Sequence, residues 1–502
     1  MNYPFDHFPL VCLTLSYNTI AEDVAVAKKY RPYVDLYELR ADFLDEAELL
    51  EIRRFPMLVD LPVILTIRRH IDGGQFRGGE ASRTMLFARA LAFADQNPRN
   101  NFTYVDFEDD FHVPSLQESA LAFGTRIIRS VHDMSSPITD LPARLEEMRK
   151  TGYELPKIAC MPQSLADVTR MFTECSRLKD FDQIITGMGP LGLPTRLLAR
   201  KLHSYLTFVS PPDKLAGMKN IGHIDPVTLH DVYHFKDIDD DTEVFGITGW
   251  PLTHTSSPEL HNTGYKQHGI NAVYIPVASE NIQDVLGFAD AINLQGLSVT
   301  VPHKEAVLPL LDHKSDEVEK IGACNTMVRE NGQWTGYNTD AMGFKEALID
   351  FMGTDSLRHK RVAIIGAGGA AKAVAYAIKQ LGGKACIFNR TQSKAKAVAA
   401  QYGFMYAPLA PESASLLAKY SSLIIQTTSK GMGGDSTSSE ETDPLWFYEF
   451  TGKERLFDIV YAPDVTPVMA RARLAGCKVC NGMPMLLAQG HMQFKLFNGR
   501  DY

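Results

Sequence analysis

The first 210 residues alternate between short apolar runs typical of β-strands and longer segments whose apolar positions recur with helical spacing, such as DEAELLEIRRF and SLADVTRMFTECSRL. Eight strand-like runs follow one another: LVCLTLS, VDLYELRAD, PVILTIR, YVDFE, RIIRSVHD, LPKIACM, DQIITGMG and YLTFVS. Eight strand–helix units over ~200 to 250 residues are typical of a (β/α)8 TIM barrel. The pattern therefore predicts an α/β chain whose first domain, residues 1–238, is such a barrel.

The acidic stretch KDIDDDTE (236–243) interrupts this pattern, and a new strand, VFGITGW, follows it. Strands and helices then alternate until RVAIIGAGGAAKAVAYAIKQLGGKACIFNRT, where a strand enters a glycine-rich turn, a helix and a second strand. Such a βαβ unit is typical of a dinucleotide-binding Rossmann domain. We predict a second domain over 243–345, completed by 475–502, and the Rossmann domain over 346–474.

Composition narrows the classes of partner. The formal charge of −9 comes with interspersed acids and bases, so no basic stripe favours nucleic acid. No apolar run reaches the ~18 residues that span a bilayer, and MNYPFDHFPL lacks the features of a signal peptide, so we expect a cytoplasmic protein that binds small molecules and no membrane. Seven scattered cysteines indicate free thiols, and the CxxC of Cys477 and Cys480 favours packing over metal binding. The oligomeric state stays open.

Polar residues fall where the predicted barrel strands end, which is where βα loops build sites in this fold. Lys157 lies inside an otherwise apolar strand, so its charge must be paired or removed. Desolvation and nearby arginines favour a neutral amine that attacks a carbonyl, whereas Glu38 or Glu108 would make it a paired core lysine. His132 is either an acid–base group or a core histidine. The residues alone leave both questions open.

Five motifs of this half resemble type I 3-dehydroquinate dehydratases in order and spacing: ELRAD (38–42), TIR (66–68) with DGG (72–74), SVHD (130–133), PKIA (156–159) and GPLGLPTR (189–196). The resemblance implies that Lys157 forms an iminium with the substrate ketone and that His132 moves the protons while water is lost, giving 3-dehydroshikimate. It implies that Asp72, where the family usually has glutamate, orients His132. The implied substrate-binding residues are Thr14, Glu38, Arg40, Arg68, Arg196 and His223. His223 belongs to KNIGH (219–223), which replaces the usual lid motif.

The glycine turn of the second half follows the strand RVAII and opens a helix, the context in which backbone N–H groups bind a pyrophosphate. The next strand ends at an arginine where an NAD site would carry an acid, and an arginine suits a 2′-phosphate. The pattern therefore predicts NADP as the cofactor. Its predicted binding residues are Gly366, Ala367, Gly368, Gly369, Ala370, Asn389, Arg390 and Thr391.

Five further motifs resemble shikimate dehydrogenases: THTSSPELHN from Thr253, GLSVTVPHK (296–304), GACNT (322–326), GYNTD (336–340) and MLLAQ (485–489). The resemblance implies that Lys304 and Asp340 form the pair that handles the proton at the reacting oxygen. Ser298 and Thr255 replace the family's usual asparagine and serine. The implied substrate-binding residues are Thr255, Ser257, Thr300, Asn325, Tyr461 and Gln489. Ile459 and Gly482 are implied to flank the nicotinamide.

Together the resemblances imply a bifunctional enzyme of the shikimate pathway, which leads to chorismate and the aromatic amino acids. A Schiff-base dehydration of 3-dehydroquinate gives 3-dehydroshikimate, and an NADPH-dependent reduction gives shikimate; no metal is expected. Two alternatives remain. One is a ligand-sensing regulator without turnover, although Lys157, His132, Lys304 and Asp340 are all present. The other is quinate dehydrogenase activity in the second half, which Arg390 does not exclude.

Overall fold

The computed structural model describes residues 9–502 except 92–94, 96, 176–177, 179–182, 216–220, 253–254 and 433–436. The chain forms two compact units. The first contains the residues up to Ile247 together with Pro251–Leu294, and the second contains Thr248–Trp250 and Gln295–Tyr502. Among the described helices, none combines the length and apolar character that crossing a membrane requires.

Eight parallel strands form the first sheet in the order β7-β6-β5-β4-β3-β2-β1-β8. They are β1 (Leu10–Leu15), β2 (Leu36–Arg40), β3 (Val63–Thr66), β4 (Tyr104–Glu108), β5 (Arg126–Asp133), β6 (Leu155–Cys160), β7 (Ile184–Gly187) and β8 (Leu206–Val209). The backbone N–H of Tyr205 donates to the Gln183 carbonyl at 2.6 Å, which brings the two end strands together. The predicted barrel is confirmed, and all eight predicted runs contain its strands.

The barrel helices follow the strands in alternation. They are α1 (Ile20–Tyr30), α2 (Phe55–Leu58), α3 (Glu80–Leu91), α4 (Pro114–Ala122), α5 (Leu141–Glu147), α6 (Leu165–Cys175), α7 (Leu193–Leu197), α8 (Pro212–Leu215) and α9 (Pro226–Asp231). The predicted helix DEAELLEIRRF is instead a 3₁₀ segment, Glu48–Arg54, followed by α2. The Ile52 carbonyl accepts from Phe55 N–H, because Pro56 has no N–H to make the α-helical bond.

The first unit continues beyond the barrel through β9 (Glu243–Gly249) as far as Ile247, and then through α10 (Ser257–His268), β10 (Ala272–Ala278) and α11 (Ile282–Ala291). Helix α11 packs against α6 of the barrel, where the rings of Phe172 and Phe288 meet edge to face with their centroids 5.5 Å apart. Both helices are amphipathic, and each buries the apolar face that carries its phenylalanine.

The second unit opens with β11 (Gly296–Val299), α12 (His303–Ala306), β12 (His313–Lys314), α13 (Asp316–Ile321), β13 (Thr326–Glu330), β14 (Gln333–Tyr337) and α14 (Asp340–Met352). The strands pair in the order β11-β13-β14-β12. The last helix, α19 (Met483–Asn498), packs on α14, and the approach is so close that a Cβ added at Gly343 would lie 2.7 Å from the Gln489 nitrogen. Glycine is required there by space rather than by its backbone angles.

A parallel sheet in the order β17-β16-β15-β18-β19-β20 occupies the rest of this unit. Its elements are β15 (Arg361–Ile365), α15 (Gly369–Gln380), β16 (Lys384–Asn389), α16 (Gln392–Tyr402), β17 (Met405–Pro408), α17 (Ala414–Tyr420), β18 (Leu423–Gln426), β19 (Arg455–Asp458), α18 (Pro467–Leu474) and β20 (Lys478–Cys480). The strand order reverses between β15 and β18, which is where ligands bind in doubly wound sheets. The predicted Rossmann fold is confirmed.

Candidate functional sites

The carboxyl ends of the barrel strands surround one cavity. It brings together eight of the predicted residues: Glu38, Arg40, Arg68, Asp72, His132, Lys157, Arg196 and His223. Thr14 lies beneath it, where its hydroxyl donates to Glu38 Oε2 at 3.0 Å. Residues that are far apart in the sequence thus meet where the fold places reactive groups.

Lys157 lies at the base of this cavity, 5% exposed. Its ammonium donates to Asp106 Oδ2 at 3.0 Å, lies 3.8 Å from Glu38 Oε1 and faces the ring of Phe208 at 4.4 Å. Of the two carboxylates considered from the sequence, Glu38 contacts this lysine, whereas Glu108 pairs with Arg68 and Arg83. The amine is therefore enclosed on one side by acids and on the other by an aromatic ring.

Asp106 is a site residue that the sequence reasoning missed. It accepts a hydrogen bond from Ser130 Oγ at 2.6 Å and pairs with Arg68 Nη2 at 2.7 Å, in addition to Lys157. Burial opposes its ionisation, but the Arg68 and Lys157 cations hold the pKa of Asp106 below its ordinary value. A signal was available, because Asp106 lies two residues before Glu108 on β4 and so shares its face.

His132 is the next-to-last residue of β5 and lies beside these charges. Burial lowers the pKa of His132 well below its ordinary value, and the Arg68 and Lys157 cations lower it further. Its Nδ1 is buried and has no hydrogen-bond partner among the described residues. The ring is thus neutral at physiological pH and can accept a proton.

Asp72 lines the same cavity, but the hydrogen bond that its Oδ2 accepts comes from Arg69 Nε at 2.6 Å. Arg69 also forms a two-bond pair with Asp110. Within the described part of the chain no bond joins Asp72 to His132, so its orienting role stays a prediction.

Arg196, on α7, carries an unsatisfied charge in this cavity. Its Nη2 donates to the Ile221 carbonyl at 2.6 Å, while its Nε and Nη1 are buried and find no partner among the described residues. Burial lowers the pKa of Arg196 to about 9. Arg40, in contrast, forms a two-bond pair with Asp42 through its Nε and Nη2. A buried guanidinium with free donors is a site for a carboxylate.

His223 reaches the cavity from the lid segment. Its Nδ1 lies 2.6 Å from Ser210 Oγ, and its ring stacks on Phe208 with an interplanar angle of 9°. Burial and the cations of Arg196, Arg40 and Lys157 lower the pKa of His223 well below its ordinary value. Lys219 and Asn220 of the same predicted motif lie outside the described residues.

The second unit contains a second polar site. Lys304 Nζ donates to Asp340 Oδ2 at 2.5 Å, and Asp340 Oδ1 accepts from Asn325 Nδ2 at 2.9 Å. Gln489 Oε1 lies 3.4 Å from the same Asn325 nitrogen. Four of the predicted residues are therefore joined in one network, although they come from α12, α14, α19 and the turn before β13.

Gln493 and Thr339 extend this network and were missed from the sequence. Gln493 Nε2 donates to the Asn325 carbonyl and to Thr326 Oγ1, and Thr339 Oγ1 accepts from Asn325 Nδ2. Ser298, the departure from the usual motif, donates to Gln493 Oε1 at 3.0 Å. Gln493 follows Gln489 by one helical turn, a spacing that places both on one face of α19.

The other predicted substrate-binding residues are placed separately. Thr300 follows β11, and its N–H donates to the Thr248 carbonyl at 2.9 Å. Tyr461 is half-buried, three residues after β19. Thr255 and Ser257 belong to the first unit, where Ser257 N–H donates to Thr255 Oγ1 at 3.2 Å. Thr253 and His254 lie outside the described residues.

The glycine turn lies directly after β15. Gly366 has a φ of 113°, and a Cβ there would lie 2.5 Å from Thr427 Oγ1, so only glycine fits. Gly369 opens α15 and faces the side chain of Lys304, since a Cβ added to it would lie 3.1 Å from Lys304 Cβ. The predicted turn and the Lys304 pair are thus neighbours within one unit. Ala367, Gly368 and Ala370 complete the turn.

The end of β16 lies beside this turn, because Gly366 N–H donates to the Phe388 carbonyl at 2.8 Å. Asn389 and the exposed Arg390 follow, and Thr391 precedes α16. On the other side of the sheet, Gly482 approaches Ile459 so closely that a Cβ would lie 2.0 Å from the Ile459 carbonyl oxygen. The residues present therefore fit a dinucleotide with an anionic group at its ribose.

Family models match three segments: type I 3-dehydroquinase over residues 11–240, the shikimate dehydrogenase substrate binding domain over 247–327, and shikimate/quinate 5-dehydrogenase over 350–472. The chain is 31% identical, over 98% of its length and 82% of the relative, to the chloroplastic bifunctional 3-dehydroquinate dehydratase/shikimate dehydrogenase of Arabidopsis thaliana.

Two further relatives match the second half. The NADP(+) shikimate dehydrogenase of Citrifermentans bemidjiense is 37% identical over 51% of this chain and 90% of its own. Among solved structures, the shikimate dehydrogenase of Aquifex aeolicus is 33% identical, covers 53% of this chain and 96% of its own, and aligns with a TM-score of 0.47.

Proposed function

The chain belongs to the family of bifunctional 3-dehydroquinate dehydratase/shikimate dehydrogenases, and on that premise we propose which of its residues carry each reaction. It is a lyase that dehydrates 3-dehydroquinate and an NADP-dependent oxidoreductase that reduces 3-dehydroshikimate to shikimate. Residues 1–238 perform the dehydration. Residues 243–345 and 475–502 bind the substrate of the reduction, and residues 346–474 bind its cofactor.

In the dehydratase half, the Lys157 ammonium, which is paired with Asp106, gives up a proton as its amine attacks the ketone carbon, so that ammonium and ketone together yield an iminium and water. The iminium acidifies the neighbouring C–H, from which His132 removes a proton. The C–O bond to the hydroxyl then breaks, and His132 returns its proton to the departing oxygen. Water finally hydrolyses the iminium and releases Lys157. The neutral His132 ring, whose pKa is lowered by burial, supports the proton-accepting step.

One observation carries this assignment: the unpaired donors of Arg196. A buried guanidinium that lacks an anion is costly, and the carboxylate of 3-dehydroquinate satisfies Nε and Nη1 in the geometry that the fork favours. His223 contacts the substrate from the lid side. Glu38 and Arg68 hold its hydroxyls, with Thr14 and Arg40 keeping Glu38 and the loop after β2 in place.

In the dehydrogenase half, Lys304 and Asp340 handle the proton at the reacting oxygen. Lys304 Nζ lies within 2.5 Å of Asp340, so the pair can hold a proton at the oxygen as it becomes a hydroxyl. Bound NADPH supplies the hydride. Asn325 and Gln489 present amide groups to the substrate's hydroxyls. Thr255, Ser257, Thr300 and Tyr461 complete the set that we assign to substrate.

The cofactor residues that we assign are the Gly366–Ala370 turn and the segment from Asn389 to Thr391. The N–H groups that open α15 bind the pyrophosphate, and the exposed Arg390 pairs with the 2′-phosphate. Ile459 and Gly482 form the wall beside the nicotinamide. We place the protein in the cytoplasm, a reducing compartment, because all seven of its cysteines are free.

Trapping with borohydride tests the dehydratase assignment. Borohydride reduces an iminium to a stable amine, so incubation of the full chain with 3-dehydroquinate should add the mass of a substrate-derived group to Lys157 alone. Peptide mass spectrometry reads the result, with the exposed, paired Lys150 as the matched lysine that stays unmodified. An unmodified Lys157 in an active preparation contradicts the assignment.

A further inference from the structure

Arg83 is a completely buried arginine that none of these roles uses. It lies on α3, outside the cavity, with 0% of its surface exposed. Its Nη1 donates to Glu108 Oε2 at 2.5 Å and to the Ile67 carbonyl at 3.1 Å, and its Nε and Nη2 donate to Glu80. Its guanidinium carbon faces the Phe111 ring at 4.5 Å. A buried arginine with this many directed bonds fixes whatever it contacts.

Both inner contacts of Arg83 converge on Arg68. The Ile67 carbonyl immediately precedes Arg68 in the chain, so the first contact holds the backbone from which that side chain starts. Glu108 accepts from Arg83 through Oε2 and from Arg68 Nη1 through Oε1 at 3.0 Å, so the second contact holds the carboxylate that orients the guanidinium. Arg68 is thereby fixed at both ends.

We propose that Arg83 is a positioning residue of the dehydratase, which aims the Arg68 guanidinium at the substrate by holding Glu108 and the Ile67 carbonyl. The inference rests on the substrate-binding role proposed for Arg68. Without Arg83, Glu108 has both oxygens free to take Arg68 in a two-bond pair, which draws the guanidinium away from the cavity. Arg68 then pairs less well with Asp106, and its contact with Ser130 is lost.

The charges around Arg68 balance with Arg83 included. Three buried cations, Arg83, Arg68 and Lys157, stand against three buried carboxylates, Glu108, Asp106 and Glu38, while Glu80, which also pairs with Arg83, has a side chain that is 54% exposed to solvent. Removing the Arg83 charge leaves one excess carboxylate in a buried cluster. An uncharged side chain of similar size at position 83 therefore changes the electrostatics of the site and the direction of the Arg68 guanidinium, while the packing against Phe87 and Phe111 is largely kept.

The test compares Arg83→Met with Arg83→Lys in the full chain. Methionine should raise KM for 3-dehydroquinate by roughly tenfold or more and change kcat by less than about threefold, because substrate binding rather than the proton steps is affected. Lysine restores the bond to Glu108 and should recover part of the affinity. The reduction of 3-dehydroshikimate by the same preparation measures the amount of intact dehydrogenase half, and the kcat of the dehydration reports whether the barrel itself is folded. Arg89→Met, an exposed arginine of the same helix, is the matched control and should leave KM unchanged.

Two outcomes overturn the proposal. The first is an Arg83→Met enzyme with the original KM, whatever its stability. The second is full additivity with Glu108→Gln: because Arg83 acts partly through Glu108, the double variant should lose less substrate affinity than the sum of the losses in the two single variants. Arg68→Met, measured in parallel, separates the two assignments. An unchanged KM there refutes the role of Arg68, whereas a raised KM for Arg68→Met with a normal Arg83→Met refutes only the positioning role.

Discussion

Replacing Arg196 with methionine should make the chain more stable while it weakens the dehydratase. The guanidinium is buried, and its Nη2 donates to the Ile221 carbonyl, but its Nε and Nη1 meet no acceptor in the part of the chain that the structure describes. A charge held in this way costs free energy until a carboxylate arrives. Stability and substrate affinity are thus expected to change in opposite directions.

The magnitude follows from the pKa. A fall in the pKa of Arg196 from its ordinary value to about 9 corresponds to roughly 5 kcal/mol against the charged form, an upper bound on what the substitution removes. Losing the hydrogen bond to the Ile221 carbonyl lowers the stability by about 1 kcal/mol, and methionine retains the packing of the aliphatic stem. We expect the free energy of unfolding to rise by about 1 to 4 kcal/mol. Loss of a charged contact to the substrate costs about 2 to 5 kcal/mol, roughly thirtyfold to several thousandfold in kcat/KM.

The assay is thermal unfolding of the full chain with and without quinate. Quinate is a carboxylate, and it is not turned over because no cofactor is added. Quinate should raise the unfolding temperature of the barrel more in wild-type protein than in Arg196→Met, because the ligand satisfies the free guanidinium. Arg200→Met is the control, since Arg200 is paired with Asp240 at 3.0 Å and should lose rather than gain stability. An Arg196→Met chain that is less stable, or that keeps its original kcat/KM, refutes the reasoning.

Burial raises the pKa of Asp23 to about 7, so the neutral acid is favoured in the folded barrel and stability declines as the pH rises from ~4 through 7. Urea unfolding of Asp23→Asn should show a smaller decline, by up to a few kcal/mol, and an identical decline contradicts this. Arg390→Ala should raise KM for NADPH by about tenfold or more and leave KM for NADH unchanged in steady-state assays; equal effects on both exclude a 2′-phosphate contact. Lys304→Met should slow the reduction of 3-dehydroshikimate by about 10² to 10⁴ and leave dehydration intact, which separate assays of the two halves check.

Much of the fold could be predicted because periodicity reports burial directly. Strands β1 to β8 are buried along nearly their whole length, so each reads as an apolar run that ends in polar residues such as Arg40 or Glu108. The 3₁₀ segment Glu48–Arg54 could not be distinguished by periodicity, since its apolar residues also fit a helix. At its end, the missing N–H of Pro56 leaves the Ile52 carbonyl to the N–H of Phe55.

The sequence predicts the residues to which we assign a direct contact with the substrate. Lys157 stands out because a lysine is expensive inside an apolar strand, whereas His132 and Arg196 are singled out by the resemblance to type I 3-dehydroquinate dehydratases. Asp106 and Arg83 were missed because their roles depend on contacts with partners on other elements. The spacing of residues along the chain does not reveal those partners. Asp72 was predicted to orient His132, but it accepts a hydrogen bond from Arg69. The neighbours of such a residue depend on backbone geometry, which residue order does not determine.

The central claim is that one chain carries two reactions at two separate lysine-containing sites. Its most direct test is NADPH oxidation by the full chain, started once from 3-dehydroquinate and once from 3-dehydroshikimate, in Lys157→Ala protein. We predict that oxidation from 3-dehydroquinate is abolished and that oxidation from 3-dehydroshikimate proceeds at the wild-type rate. Loss of both rates, or retention of both, contradicts the account.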